Sequence, residues 1–593
     1  MNDLQNKIMD WLKQHAIIIA FTLLAGALSV IPHLLAWHAL GNSYQGIPFL
    51  YSSNEDYYLT RIQEITDGHY MISSPHAFEY KNTLPLIPPI GEYFYILLGF
   101  IFHTSLPNTL VIAKFLFPAI LFFLVYNLIR LVSGKVQSEG NMWGAIAGAS
   151  FVVFGIDLVG YQYIIARLQH TAGPGAILSI WTRPVNPITG ALLLFGFLPL
   201  LWQSLQRTGW VYPLSAGFVL ALSVGYIFTW GIGFAILGML FLFALFQKEY
   251  TSLKRLLLVA LTAIFIDALY WIQILPSLSM GGSAAERNGM IFTHAPLWNK
   301  VLLAAILLFS LILAYAYHFQ RINIVRESKA YASVWFSFAL LLGSGVALNQ
   351  QILTGRTIWP YHFVQYSIPL TAVALFITLF VLLRPEFPRL WKCIVSTTII
   401  LSIAFAIWNA STYTSAMNDF RKLQEFVPIF NWINVNAPKD CTILVSEDWS
   451  EQLNGLVPAF TSCNVYLSGY MNNANVIPPE RIEHNFFVKL RLAGVTGATI
   501  EEYLADNEAG EKTYFFKDWK ELLSPNKSAR IAAMNPGLIE RYRTFMKKDF
   551  KTTLRAYRID YIVTRGDFDA TAKKSLPQLN EAYKAGSTTI YQL

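Results

Sequence analysis

Two adjacent carboxylates, Glu55 and Asp56, follow the first long apolar run of the chain. Carboxylate oxygens can hold a divalent cation such as Mg or Mn, or take a proton from an acceptor hydroxyl. The same pair at the start of a helix also complements the positive end of its dipole, worth a few tenths to about 1 kcal/mol. On these residues alone both readings stand. Ser53 or Asn54 can cap such a helix, Leu59, Ile62 and Ile65 recur at three-residue spacing, and Gly68 is a natural stop. The spacing predicts an amphipathic helix lying on a membrane surface, its acidic start beside the end of the first span.

Cationic and polar candidates sit in later loops. Arg183 lies in Trp181-Thr182-Arg183-Pro184-Val185-Asn186-Pro187, with Arg167 and His170 nearby. Its planar fork suits a phosphate, although an arginine there can also snorkel to headgroups from a turn. The connection from Asn349 through Arg356, Tyr361 and His362 is unusually polar for its length. Lys114, Asp157 and Asp267 fall inside apolar runs, where ionisable groups are functional candidates by default. Asp157 is a further candidate metal ligand, and Asp267 reads as an interhelical hydrogen-bond partner.

These residues need a membrane scaffold. The 593-residue chain is 54% hydrophobic and 13% charged, and its apolar runs are concentrated before residue 412. A helix needs roughly 20 apolar residues to cross the bilayer. Eleven such spans begin near Ala16, Leu110, Met142, Ala191, Val211, Gly231, Leu256, Val301, Tyr331, Ser367 and Cys393. Tyr93 to Phe102 is too short and reads as interfacial or re-entrant. With that piece left out, Lys and Arg gather on one side of the spans, which sets a cytoplasmic N-terminus. Four polar segments then share the opposite face with residues 413–593: His38 to Glu92, Arg167 to Thr189, Ser277 to Asn299 and Asn349 to Tyr366. The formal charge of +8 is spread over short clusters between spans, so no nucleic-acid partner is expected.

The expected fold is therefore mainly α: a polytopic membrane domain (1–412) with a first outer loop (38–92), followed by a small extracytoplasmic α/β domain (413–593). The latter shows strand-like runs at Cys441 to Val445, Asn464 to Leu467, Asp560 to Thr564 and Thr588 to Tyr591. Asp419 to Trp432 and Gln578 to Lys584 read as helices. Cys441 and Cys463 can pair in an oxidising compartment or remain free thiols. Neither a Walker loop, a dinucleotide fingerprint nor zinc spacing is present.

The segment Ser53 to Gly68, with its acidic pair, Tyr57-Tyr58, Arg61 and Gly68, resembles the first-loop motif of the GT-C membrane glycosyltransferases. His76, Glu79, Lys81 and the prolines beyond are compatible with it. The resemblance implies a multi-pass plasma-membrane enzyme that transfers a sugar, with inversion, from a polyprenyl-phosphate donor to a lipid, glycan or protein acceptor. It implies Glu55 or Asp56 as the key carboxylate or metal ligand: alignment on Arg61 favours Glu55, and alignment on the tyrosine pair favours Asp56. Arg61, His76, Glu79 and Lys81 in the first loop, and Arg183, Asn186, Arg356, Tyr361 and His362 in the later polar loops, are the expected substrate contacts. The Trp-Trp-Asp motif of oligosaccharyltransferases is absent, Ser446-Glu447-Asp448-Trp449 is no substitute, and a second Asp-x-Asp motif is missing. A single-sugar transfer is therefore expected rather than N-glycan transfer to asparagine. A transporter or flippase, a polysaccharide polymerase or ligase, and an inactive scaffold of the same fold are the alternatives.

Overall fold

The computed structural model describes residues 2–50, 54–85, 87–134, 139–169, 179–278, 290–318, 329–382, 387–445, 450–471, 476–507, 527–565, 576 and 579–593. Helix dominates because apolar runs in lipid must satisfy their backbone groups internally. Nine described helices are long and apolar enough to cross a membrane, from His15–Ser43 to the one that begins at Pro388. Two of the eleven expected spans fall outside these nine: Val211–Gly225 is a shorter apolar helix, and Lys300–His318 has 19 residues. The regular part of the first, Val211–Leu222, has 12 residues. At about 1.5 Å per residue that length falls well short of a ~30 Å hydrocarbon core.

Four helices frame the first loop: α1 (Asn2–Leu40), α2 (Glu55–Thr66), α3 (Ile90–Phe102) and α4 (Leu106–Val132). With 13 residues, α3 is also shorter than a span. In α2 the expected stripe of Leu59, Ile62 and Ile65 is buried, but so are Glu55, Thr60, Arg61 and Glu64. Instead of resting on lipid with one face in water, α2 packs between α3 and the C-terminal helix Ser450–Phe460. Its Thr60 hydroxyl donates to the Gly455 carbonyl at 3.2 Å.

The C-terminal α/β unit holds a five-stranded sheet, β3 (Thr442–Val445), β4 (Asn464–Val465), β5 (Tyr561–Arg565), β6 (Asn580–Ala585) and β7 (Thr588–Gln592), in the order β4-β3-β5-β7-β6. Strand β3 pairs in parallel with β4 and β5, and β7 is antiparallel to β5 and β6. All four strand-like runs of the sequence are strands. The stretch read as a helix, Gln578 to Lys584, instead contributes edge strand β6, because pairing with β7 overrides its helical composition. Cys441 and Cys463 form a disulfide.

The first loop is built into this unit. Ile47 and Ala77 belong to the same apolar core as Ile443, Val465 and Val563. The Val465 amide donates to the His76 carbonyl at 3.0 Å. Lys81 reaches Asp440 at 2.6 Å and Glu64 at 3.3 Å, and His69 reaches the same Asp440 oxygen at 3.0 Å. The later loops are joined by a two-stranded ribbon, β1 (Met290–Phe292) antiparallel to β2 (Arg356–Ile358).

Candidate active site

A cavity of about 1210 Å³ lies where the first loop, the later loops and the C-terminal unit meet. It exceeds the ~300–1,000 Å³ typical of a small-ligand pocket. Among the described residues, the first loop lends Asn54, Tyr57, Tyr58, Arg61, His76 and Glu92 to its wall. The later loops add Asp157, Arg183, Asn186 and Tyr226, then Gln350, Arg356, Trp359, Tyr361 and His362. The C-terminal unit contributes Tyr470 and Val476. Eight of the expected site residues thus share one wall: Arg61, His76, Asp157, Arg183, Asn186, Arg356, Tyr361 and His362.

The cations differ in their partners. Arg61 is buried and ion-paired to Glu92 at 2.5 Å. Arg183 donates through Nε to the Asn186 carbonyl at 2.6 Å and lies over the Tyr58 ring at 5.6 Å. Neither Arg183 nor Arg356 pairs with a carboxylate among the described residues, so both guanidinium charges face the cavity uncompensated. The Asn186-Pro187 bond is cis, and helix Ile188–Gln206 follows it. His362 is buried, with its Nδ1 bonded to the Tyr226 hydroxyl and its ring against Phe228 and Tyr361.

His76 stacks parallel to Tyr57 and tilts against Tyr470, with ring centroids 5.9 and 5.0 Å away. Burial, reinforced by the Arg61 charge, lowers its pKa to about 3, so this imidazole is neutral in the folded protein. Its Nε2 has no hydrogen-bond partner.

Four expected residues lie outside the cavity wall. Glu79 accepts from the Arg558 amide at 3.3 Å, and Lys81 sits in the Glu64–Asp440 ion pairs. Both hold the first loop to the C-terminal unit. Glu55 and Asp56 open α2, where successive side chains point about 100° apart. Glu55 turns toward α4, where its Oε2 meets the Lys114 ammonium at 2.6 Å. Asp56 turns toward the C-terminal unit, where its Oδ1 accepts from the Tyr470 hydroxyl at 2.7 Å. Burial pushes the Asp56 carboxyl up, against the pull of the Tyr470 bond. The two carboxylates therefore do not converge on one cation, and the described residues include no group of three or more His, Cys, Asp or Glu placed to hold a metal.

Asp267 accepts from Trp230 Nε1 at 2.9 Å, the interhelical bond expected of it. The side chains of Arg167 and His170, and the whole of Ser446 to Trp449, fall outside the described residues. Sequence reasoning missed Glu92, Tyr226 and Tyr470. Glu92 had a signal, an acid in the first turn of an apolar helix after Pro88-Pro89. Tyr470 had none, being 414 residues from its partner.

No protein-family model matches the chain, and no curated protein matches its sequence. The solved structures to which the chain is similar include the following two. The oligosaccharyltransferase of Archaeoglobus fulgidus, in complex with Zn and sulfate, is 16% identical, with 92% of this chain and 68% of that chain covered at a TM-score of 0.44. ArnT from Cupriavidus metallidurans, bound to undecaprenyl phosphate, is 9% identical, with 98% of both chains covered at a TM-score of 0.44. Both are GT-C superfamily members.

Proposed function

We propose that the chain is an integral membrane glycosyltransferase that moves a sugar from a polyprenyl-phosphate donor to an acceptor hydroxyl at the extracytoplasmic face, with inversion. The single observation that carries this reading is the pair of uncompensated guanidinium groups, Arg183 and Arg356, in a cavity of about 1210 Å³ that also reaches Tyr470. Arginine forks bind phosphate oxygens in two places at once, and fixed positive charge is most effective where negative charge develops. In this reading the donor phosphate sits at Arg183 and Arg356, with His362 beside it, and the acceptor approaches from the Tyr57–His76–Tyr470 wall.

One displacement completes the transfer. The acceptor oxygen bonds to the sugar C1 as the bond from C1 to the phosphate oxygen breaks, and the electron pair leaves on the phosphate. The acceptor proton passes to the Tyr470 oxygen while the Tyr470 proton passes to Asp56. Asp56 is the better placed of the two candidate carboxylates, because it is bonded to the cavity-lining Tyr470 whereas Glu55 is engaged by Lys114. The Lys and Arg distribution supports an extracytoplasmic site and C-terminal unit, as does the Cys441–Cys463 disulfide.

The test is turnover. Purified protein given polyprenyl-phosphate sugars should release bare lipid phosphate, and Asp56→Asn should abolish release. Equal release from wild type and Asp56→Asn would remove the carboxylate from the reaction. No release with any donor would remove the transferase reading.

A further inference from the structure

Glu55 lies in the first turn of α2, where the resemblance to GT-C enzymes implies a metal-binding or basic carboxylate. It is 1% exposed, and its partner Lys114 is 4% exposed. Lys114 comes from a different element, two turns into α4, so the pairing is tertiary rather than an accident of neighbouring sequence. A charge inside a membrane protein persists only when it is matched, and a buried carboxylate beside a buried ammonium is such a match. A divalent ion at Glu55 would lie a few ångströms from the ammonium in a medium that screens poorly, facing repulsion with one carboxylate to hold it. The second carboxylate is not available to help, since Asp56 is turned away to Tyr470.

We propose that the Lys114 ammonium takes the place of a divalent cation at Glu55, so that this carboxylate is committed to a charge carried by the protein and holds no metal. His33 of α1 lies within electrostatic range of Lys114. Its Nδ1 contacts the Phe49 carbonyl at 3.1 Å, and its buried Nε2 has no hydrogen-bond partner. With the ammonium removed, Glu55 is left as a buried carboxylate without the cation that now matches it.

The probe is Mn2+ alone, titrated into chelator-treated full-length protein and followed by the loss of its free-ion paramagnetic signal. Wild type and the charge-matched Glu55→Gln/Lys114→Met variant should bind equal amounts of Mn2+. Lys114→Ala should gain one further ion per chain, and adding Glu55→Gln to it should lose that ion. A Mn2+ bound by wild type and lost in the charge-matched variant would overturn the proposal, as would Lys114→Ala gaining none. The wild-type comparison decides the first point even where Lys114→Ala fails to fold. In turnover assays, EDTA should leave wild-type lipid-phosphate release unchanged. That arm rests on the transferase reading, whereas the Mn2+ titration does not, so the failure of either is recognisable.

Discussion

The Tyr470 hydroxyl donates a 2.7 Å hydrogen bond to Asp56 Oδ1, and through that bond the C-terminal unit meets the acidic start of α2. Tyr470 faces the cavity, whereas Asp56 sits behind it. Tyr470→Phe keeps the ring packing on Tyr57 and His76 but removes the proton route. Turnover should fall by roughly 10²-fold or more, within the range general-base catalysis contributes, with the donor KM little changed. The bond favours the ionised form of Asp56, so its loss raises a carboxyl that burial already holds high. The acid limb of the residual pH–rate profile should therefore move to higher pH. An unchanged profile would indicate that Tyr470 only packs.

Gly455 marks how closely the two parts approach. A Cβ at that position would stand 1.9 Å from Asp56 Oδ2. Gly455→Ala should therefore displace the carboxylate and cut lipid-phosphate release. The overpacking should lower stability by about 1–3 kcal/mol, read as a fall in the thermal midpoint. Asp56→Ala made together with Gly455→Ala removes the clash and should restore much of the midpoint but none of the activity.

The two uncompensated arginines should act on donor affinity. Arg183→Lys keeps the charge but not the fork, nor the Nε bond to the Asn186 carbonyl. Losing a charge-assisted hydrogen bond costs about 1.5–3 kcal/mol, so the donor KM should rise roughly 10- to 100-fold. Arg356→Ala should show a similar rise, steeper at low ionic strength because Arg356 is exposed and its field is screened by salt.

His76 links stability to pH. Its folded pKa of about 3 lies below the unfolded value of 6.5, so the folded state binds fewer protons. The stability contribution of the neutral imidazole is complete above pH 6.5 and is lost progressively as the pH falls toward about 3. Thermal midpoints should drop across that window, and His76→Phe should flatten the drop. An identical acid limb in the variant would mean that other groups carry it.

The sequence exposed most of the membrane architecture, because a run of some 20 apolar residues has few alternatives to a crossing helix. Where apolar runs were shorter or interrupted, as at Val211–Gly225, length alone could not separate a span from a short helix. For α2 the three-residue spacing identified the helix and its apolar face. The roof over it, Ser450–Phe460, comes from residues far along the chain and left no local trace. Strand β6 had an unread signal, since Gly586, in the left-handed region, and Ser587 make a tight turn into β7. The cations of the cavity were legible because basic residues are rare in such loops. The different fates of Glu55 and Asp56 were not, because those depend on Lys114 and Tyr470, which only the folded chain brings to them.

In the proposed reading, Arg183 and Arg356 grip the phosphate of a lipid carrier. Native mass spectrometry of the detergent-solubilised protein with added polyprenyl phosphate tests it without requiring turnover or knowledge of the sugar. Wild type should retain the lipid, displaceable by excess carrier, and a folded Arg183→Ala/Arg356→Ala variant should lose it. Equal retention by wild type and that variant would contradict it.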